Sequence, residues 1–129
     1  MSANESVIEL LREVLGRAGA FKARAMFGGH GLYLDGVFFA ILDDGALFFK
    51  TSPQTAARYD AEAMPAFTYQ TKTGLKGLPN YRRVPERLFD ETDELAMWVQ
   101  EAVRAVQTAS AKKKPRTQGA RLKKSSPER

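Results

Sequence analysis

Apolar residues change their spacing several times along this chain, and each change marks an element. Between 4 and 18, Val7, Leu10, Leu11, Val14, Leu15 and Ala18 recur at three- and four-residue intervals, with Glu5, Glu9, Arg12 and Glu13 on other faces. That spacing predicts an amphipathic helix. Ser2 with Glu5, or Ser6 with Glu9, has capping-box spacing, and Gly16 or Gly19 ends the run. Residues 23–34, 37–42 and 46–50 then read as strands, joined by Asp35-Gly36 and by Asp43-Asp44-Gly45. These turn residues accept positive φ, and short turns of this kind join antiparallel neighbours, so the three strands form a meander. In the first of them Gly28, Gly29 and Gly31 sit among large apolar side chains. Glycine inside a helix costs about 1 kcal/mol relative to alanine, so the stretch reads as one bent or bulged strand. Val37–Leu42 is apolar at every position, which predicts a middle strand covered on both faces, by helices on one side and by a loop or partner on the other.

Ser52-Pro53 is a strong helix start, with serine as N-cap and proline in the first turn, and this helix is expected to run to about Ala63, before Pro65. Residues 66–70 and 81–84 read as two further strands, joined by a mobile loop over 71–80. From Asp90 to about Ser110, Leu95, Trp98, Val99, Ala102, Val103 and Val106 fall on one helical stripe. Asp90, Glu91, Asp93 and Glu94 suit the positive end of its dipole. The predicted order is α-β-β-β-α-β-β-α, a two-layer α+β domain with a five-stranded antiparallel sheet packed against helices. It is expected to occupy residues 1–110, with 111–129 as a disordered basic tail.

Several of these segments also carry a resemblance. Arg24-Ala25-Met26-Phe27-Gly28-Gly29, then Gly31, Tyr33, Asp35-Gly36 and Phe39-Ala40, are followed by Leu47-Phe48-Phe49-Lys50, Pro65-Ala66-Phe67-Thr68-Tyr69, Tyr81-Arg82-Arg83-Val84-Pro85 and Asp93-Glu94-Leu95-Ala96-Met97-Trp98. Over roughly residues 5–106 this series resembles the TfoX (Sxy) N-terminal domain, a bacterial competence-regulator family. The resemblance implies the same α+β arrangement and a regulatory role exercised with another transcription factor. The family's regulators carry a second, C-terminal domain, where this chain carries a short basic tail. Its most characteristic residues here are Arg24, Met26, Phe27, Gly28, Gly29, Gly31, Tyr33, Gly36, Phe39, Lys50, Tyr81 and Pro85, and most of them are expected to define the fold rather than an activity.

Composition narrows the function classes. The chain has 129 residues, 43% of them hydrophobic, enough for one domain with a core of its own. Cysteine is absent, which removes disulfides and cysteine-based zinc sites. No apolar run approaches the ~20 residues of a membrane span, and Met1–Glu5 lacks the basic and apolar regions of a signal peptide; a cytoplasmic protein is expected. Eight of the 20 Lys/Arg and one of the 15 Asp/Glu fall in 112–129, giving that segment +7. Residues 1–111 hold 12 basic and 14 acidic side chains, a net −2. The basicity is therefore a tail property, and Lys112, Lys113, Lys114, Arg116, Arg121, Lys123 and Lys124 form a candidate non-specific phosphate-binding arm or a solubilising extension.

Candidate chemistry is sparse. His30 is the sole histidine and more simply a loop or bulge residue than a triad member. Gly28-Gly29-His30-Gly31 lacks the spacing of a phosphate loop, and a strand rather than a helix follows it. Asp43-Asp44 are neighbours in a turn and make a poor acid–base pair. No catalytic residue, metal or cofactor is assigned. Phe27, Tyr33, Phe38, Phe39, Phe48, Phe49, Phe67, Tyr69 and Tyr81 are strand aromatics, expected mainly in the core, with a remainder offering a partner surface. Arg82 and Arg83 are candidate interaction residues, one facing out and the other lying at an edge or snorkelling. The expected function is a non-enzymatic regulatory module that binds another protein in transcription regulation, with weak nucleic-acid affinity through the tail. The alternative is a small-ligand-binding domain or weak enzyme with a pocket near Tyr69, Tyr81 and Arg83.

Overall fold

The computed structural model describes residues 3–26 and 29–113, with side chains through 109. Helix α1 spans Ala3–Val14, strands β1 to β4 span Phe21–Met26, Gly29–Leu34, Val37–Asp43 and Ala46–Lys50, and helix α2 spans Pro53–Ala61. Strands β5 (Ala66–Thr71) and β6 (Gly74–Arg83), a 3-10 turn at Glu86–Phe89 and helix α3 (Thr92–Lys113) complete the order. All strands join one antiparallel sheet in the order β1-β2-β3-β4-β6-β5.

The sheet has six strands rather than the five expected. The stretch read as one bent strand over 23–34 is two, because Phe21–Met26 and Gly29–Leu34 pair with each other antiparallel. The expected loop over 71–80 is likewise mostly strand: β6 begins at Gly74 and pairs with β5 from Thr71–Gly74 onward. Both Asp-Gly turns form as read, with positive φ at Asp35 and Gly36 (51° and 83°) and at Asp44 and Gly45 (50° and 82°). Ser52 caps α2 through a reciprocal capping box with Thr55. Helix α1 stops at Val14, earlier than expected, and α3 starts at Thr92 because residues 86–89 form the separate 3-10 turn.

Helices α1 and α3 cover one face of the sheet. Leu11, Leu15, Leu32, Leu42, Leu47, Phe39, Phe49, Val84, Leu88, Leu95, Trp98 and Val99 are almost wholly buried in that layer. Burial of apolar surface at about 25 cal/mol per Å² makes this layer the main stabilising term. A bulge in β3 explains its unbroken apolar run. Leu32 pairs with Ala40 but Tyr33 pairs with Phe38, so Phe39 has no paired position and joins the helix-side core. Phe38 and Ile41 face the other way, into a second cluster with Phe48, Phe67, Leu78 and Tyr81. That cluster contains no helix residue; β5 reaches it because the sheet curls, and Phe67 meets Phe48 edge-on at 5.1 Å. The middle strand is thus covered on both faces, by helices on one and by the β5–β6 hairpin on the other.

Trp98 fixes the helices to one another. Its ring lies edge-on to Tyr59 of α2 at 4.9 Å, Arg58 stands over it at 5.1 Å, and its indole N–H donates to Glu94 at 3.2 Å. Arg58 also pairs with Glu101 of α3. Asn4 ties the start of α1 to the sheet: its Oδ1 accepts the Gly45 N–H at 2.7 Å, and its Nδ2 lies 3.1 Å from His30 Nδ1.

Candidate functional site

Alternation along β1 and β2 sends Leu32, Leu34, Phe21 and Ala23 toward the helices and leaves Lys22, Arg24, Met26, Gly31 and Tyr33 on the helix-free face. On that face a row of contacts crosses the sheet. The Arg24 guanidinium lies over the Tyr33 ring at 5.7 Å; Tyr33 and Phe38 have ring centroids 5.3 Å apart; Phe38 and Tyr81 are 5.9 Å apart; and the Lys50 ammonium lies over the Tyr81 ring at 5.4 Å. Lys50 and Tyr81 are directly paired residues of β4 and β6, and Phe38 reaches Tyr81 past the end of β4. Arg24 is exposed, and Tyr33, Phe38, Lys50 and Tyr81 are half-buried. Burial, with Tyr33 close by, pushes the Tyr81 hydroxyl above its ordinary value, so it remains a neutral donor at physiological pH.

Two glycines shape the floor of this face. A β-carbon on Gly31 would collide with the Met26 sulfur and stand 3.0 Å from Phe38 Cε1. Its absence lets those side chains lie across β2. A β-carbon on Gly29 would collide with the Leu42 carbonyl oxygen, so the end of β2 approaches β3 only because residue 29 is glycine.

Most residues of the sequence motif converge here: Arg24, Met26, Gly29, Gly31, Tyr33, Lys50 and Tyr81 all belong to the helix-free face or its floor. Gly36 serves the β2–β3 turn, Phe39 is in the helix-side core, and Pro85 is buried at the entry to the 3-10 turn. Phe27 and Gly28 lie outside the described residues. So do Lys114, Arg116, Arg121, Lys123 and Lys124 of the tail, while Lys112 and Lys113 are the last residues of α3. The two arginines part company. Arg82 donates to the Met64 carbonyl through Nε at 2.9 Å and Nη2 at 2.6 Å, and to Asp60 at 2.7 Å, which makes it an internal clamp between β6 and α2. Arg83, paired with Phe48, lies on the opposite face.

The pocket expected near Tyr69, Tyr81 and Arg83 is not one pocket. Tyr69 lines a cleft of about 330 Å³ with Met26, Gly29, Asp43 and Phe67. Arg83 lines a separate depression with Met64, Pro65 and Glu86, and Tyr81 is taken up by the row. The sheet curl, which lays β5 over the middle strands, separates them. His30 is on the helix side, held to Asn4. The groups of the row are phenols, a phenyl ring, a guanidinium and an ammonium, whose chemistry is apolar contact, hydrogen bonding and charge. Phe38, central to the row, has no distinguishing signal in sequence beyond being one of two adjacent phenylalanines; the bulge at Phe39 decides which of them faces out.

The family described as the TfoX N-terminal domain matches residues 13–106. The chain is similar to the DNA transformation protein TfoX1 of Aliivibrio fischeri, 31% identical over 87 residues, which cover 67% of this chain and 41% of that protein. It is similar also to protein Sxy of Escherichia coli, 32% identical over 78 residues, 60% of this chain and 37% of that protein. The chain spans about two fifths of the length of these curated relatives.

Proposed function

The chain belongs to the TfoX N-terminal domain family, and from that premise we propose that it is a non-enzymatic regulatory module that binds another protein in transcription regulation. One observation carries this reading: the motif residues Arg24, Tyr33, Lys50 and Tyr81, spread over 58 positions of sequence, meet in a single row on the helix-free face. Their gathering on a face that no helix covers, with Arg24 exposed at its edge, supports a contact surface. The names of the relatives, a DNA transformation protein and Sxy, favour a role in competence, carried to this chain as part of the same proposal. A cytoplasmic location belongs to it too; among the described residues no helix is long and apolar enough to cross a membrane.

The test is affinity capture from the native host with the full chain as bait, beside the double variant Arg24→Glu, Tyr33→Ala. The expected result is a transcription protein retained by the wild type and lost from the variant, with both baits melting alike. Equal capture by the two baits would overturn the assignment of this face.

A further inference from the structure

Charge is sorted between the two layers. The six strands contain one acidic residue, Asp43, at the last position of β3, and six cations: Lys22, Arg24, Lys50, Lys76, Arg82 and Arg83. The other carboxylates of the described residues lie on helices and in turns. Among the strand cations only Arg82 turns toward the helices, where Asp60 meets it. Directly paired residues share a face, so Lys22 (with Tyr33), Lys76 (with Tyr69) and Arg83 (with Phe48) join Arg24 and Lys50 on the helix-free side. Asp43, paired with Ala46, is the one strand carboxylate on that side, so a body of net −2 presents an aromatic face with five strand cations against one acid.

Resting on the binding-module reading above, we propose that this face receives an extended acidic segment of the protein partner, with carboxylates alternating with aromatic or aliphatic side chains. The ring spacings of 5.3 and 5.9 Å are close to the roughly 6.6 Å between alternate side chains of an extended strand. Apolar side chains of such a segment need no open ring face and pack against the edges of Tyr33, Phe38 and Tyr81. Carboxylates reach the exposed Arg24, where bidentate pairing is available, and Lys22, which pairs with Tyr33. A single-stranded nucleic acid fits less well. Stacked bases need open ring faces, whereas Arg24 and Lys50 already lie over the faces of Tyr33 and Tyr81, and Phe38 is held between the two rings.

The experiment titrates the ¹⁵N-labelled full chain with three probes: a capped peptide of alternating glutamate and phenylalanine, the same peptide with serine for phenylalanine, and oligothymidylate. The first is expected to shift the amides of Arg24, Tyr33, Phe38, Lys50 and Tyr81 to saturation. Arg24→Glu should weaken that binding about tenfold or more with an unchanged melting temperature. The serine peptide should shift only residues of 112–129. Shifts from the first peptide confined to 112–129, undiminished binding by Arg24→Glu, or tighter occupation of the row by oligothymidylate would each overturn the proposal. If the row ignores the peptide while Arg24→Glu, Tyr33→Ala still loses the host partner, the acidic occupant is wrong and the binding-module reading stands. If host capture is also unaffected, both fall.

Discussion

Arg82 donates two hydrogen bonds to the carbonyl oxygen of Met64, just past the end of α2. Its side chain is only 17% exposed, and a charged donor of this kind contributes about 1.5–3 kcal/mol. Arg82→Ala is therefore expected to lower the free energy of unfolding by roughly 1–3 kcal/mol. Arg83→Ala should change it by under about 0.5 kcal/mol. Urea melts of the two variants check this, and equal effects would contradict the clamp.

Gly29 and Gly31 are expected to differ in what they tolerate. The Leu42 carbonyl that a Gly29 side chain would strike is backbone and cannot swing away, while the Met26 sulfur over Gly31 ends a flexible chain. Gly29→Val should cost roughly 1–3 kcal/mol, as overpacking does, and Gly29→Ala should cost more than Gly31→Ala. Thermal melts of the three variants decide it. A Gly29→Val variant with wild-type melting and lost partner binding would make residue 29 a contact rather than a support.

Trp98 is 2% exposed and is the sole tryptophan, so its fluorescence reports one site. Trp98→Ala should cost about 3–5 kcal/mol, enough to unfold a marginal domain. The native emission maximum should be that of a buried indole and move to the red on unfolding. A water-exposed maximum in the native protein would contradict the packing against Tyr59.

Acid should weaken the domain through Arg87. This arginine donates to Glu62, Glu91 and Glu94, and its hydrogen bonds hold Glu62 and Glu94 below the ordinary glutamate value of 4.5. A carboxylate depressed in the folded state contributes stability that is present above that value. The contribution is lost as pH falls through the folded-state pKa. The gap in urea midpoint between wild type and Arg87→Met should hold from pH 7 to about 5 and shrink below about 4.5. A gap that stays constant to pH 3 would rule this coupling out.

Duplex-DNA affinity, if the tail supplies it, should be independent of sequence and steeply salt-dependent. Five engaged cations give a log–log slope of about −4.5. Because α3 runs to Lys113, deletion of 114–129 leaves the helix whole. It should abolish binding without moving the melting temperature, and tight binding by the shortened chain would shift the affinity to the sheet.

The helices and the two Asp-Gly hairpins were legible because each has a local cause: a 3.6-residue stripe, a Ser52 cap, a dipeptide that accepts positive φ. What was hidden depends on pairing at a distance. Between Phe21 and Leu34 the sequence carries no Asn-Gly or Asp-Gly signal of a hairpin, so β1 and β2 read as one bent strand. Pro79 and Asn80 read as loop, yet they fall where the β5–β6 register jumps from Phe67–Leu78 to Ala66–Arg82, a place where a strand tolerates proline. The row was hidden for the same reason. Its members are ordinary strand residues until the bulge at Phe39 and the curl of the sheet bring Phe38 to Tyr81.

The Asn4 bonds to Gly45 and His30 also bear on the order in which the chain assembles. They span 41 and 26 positions, whereas the hairpins of the meander close over far shorter loops, with less entropy to lose. Both contacts tie α1 to positions on the meander, His30 in β2 and Gly45 in the β3–β4 turn. Helix α1 is therefore expected to dock late, as a clasp on a sheet already formed, and φ-values near zero at Asn4 would check this.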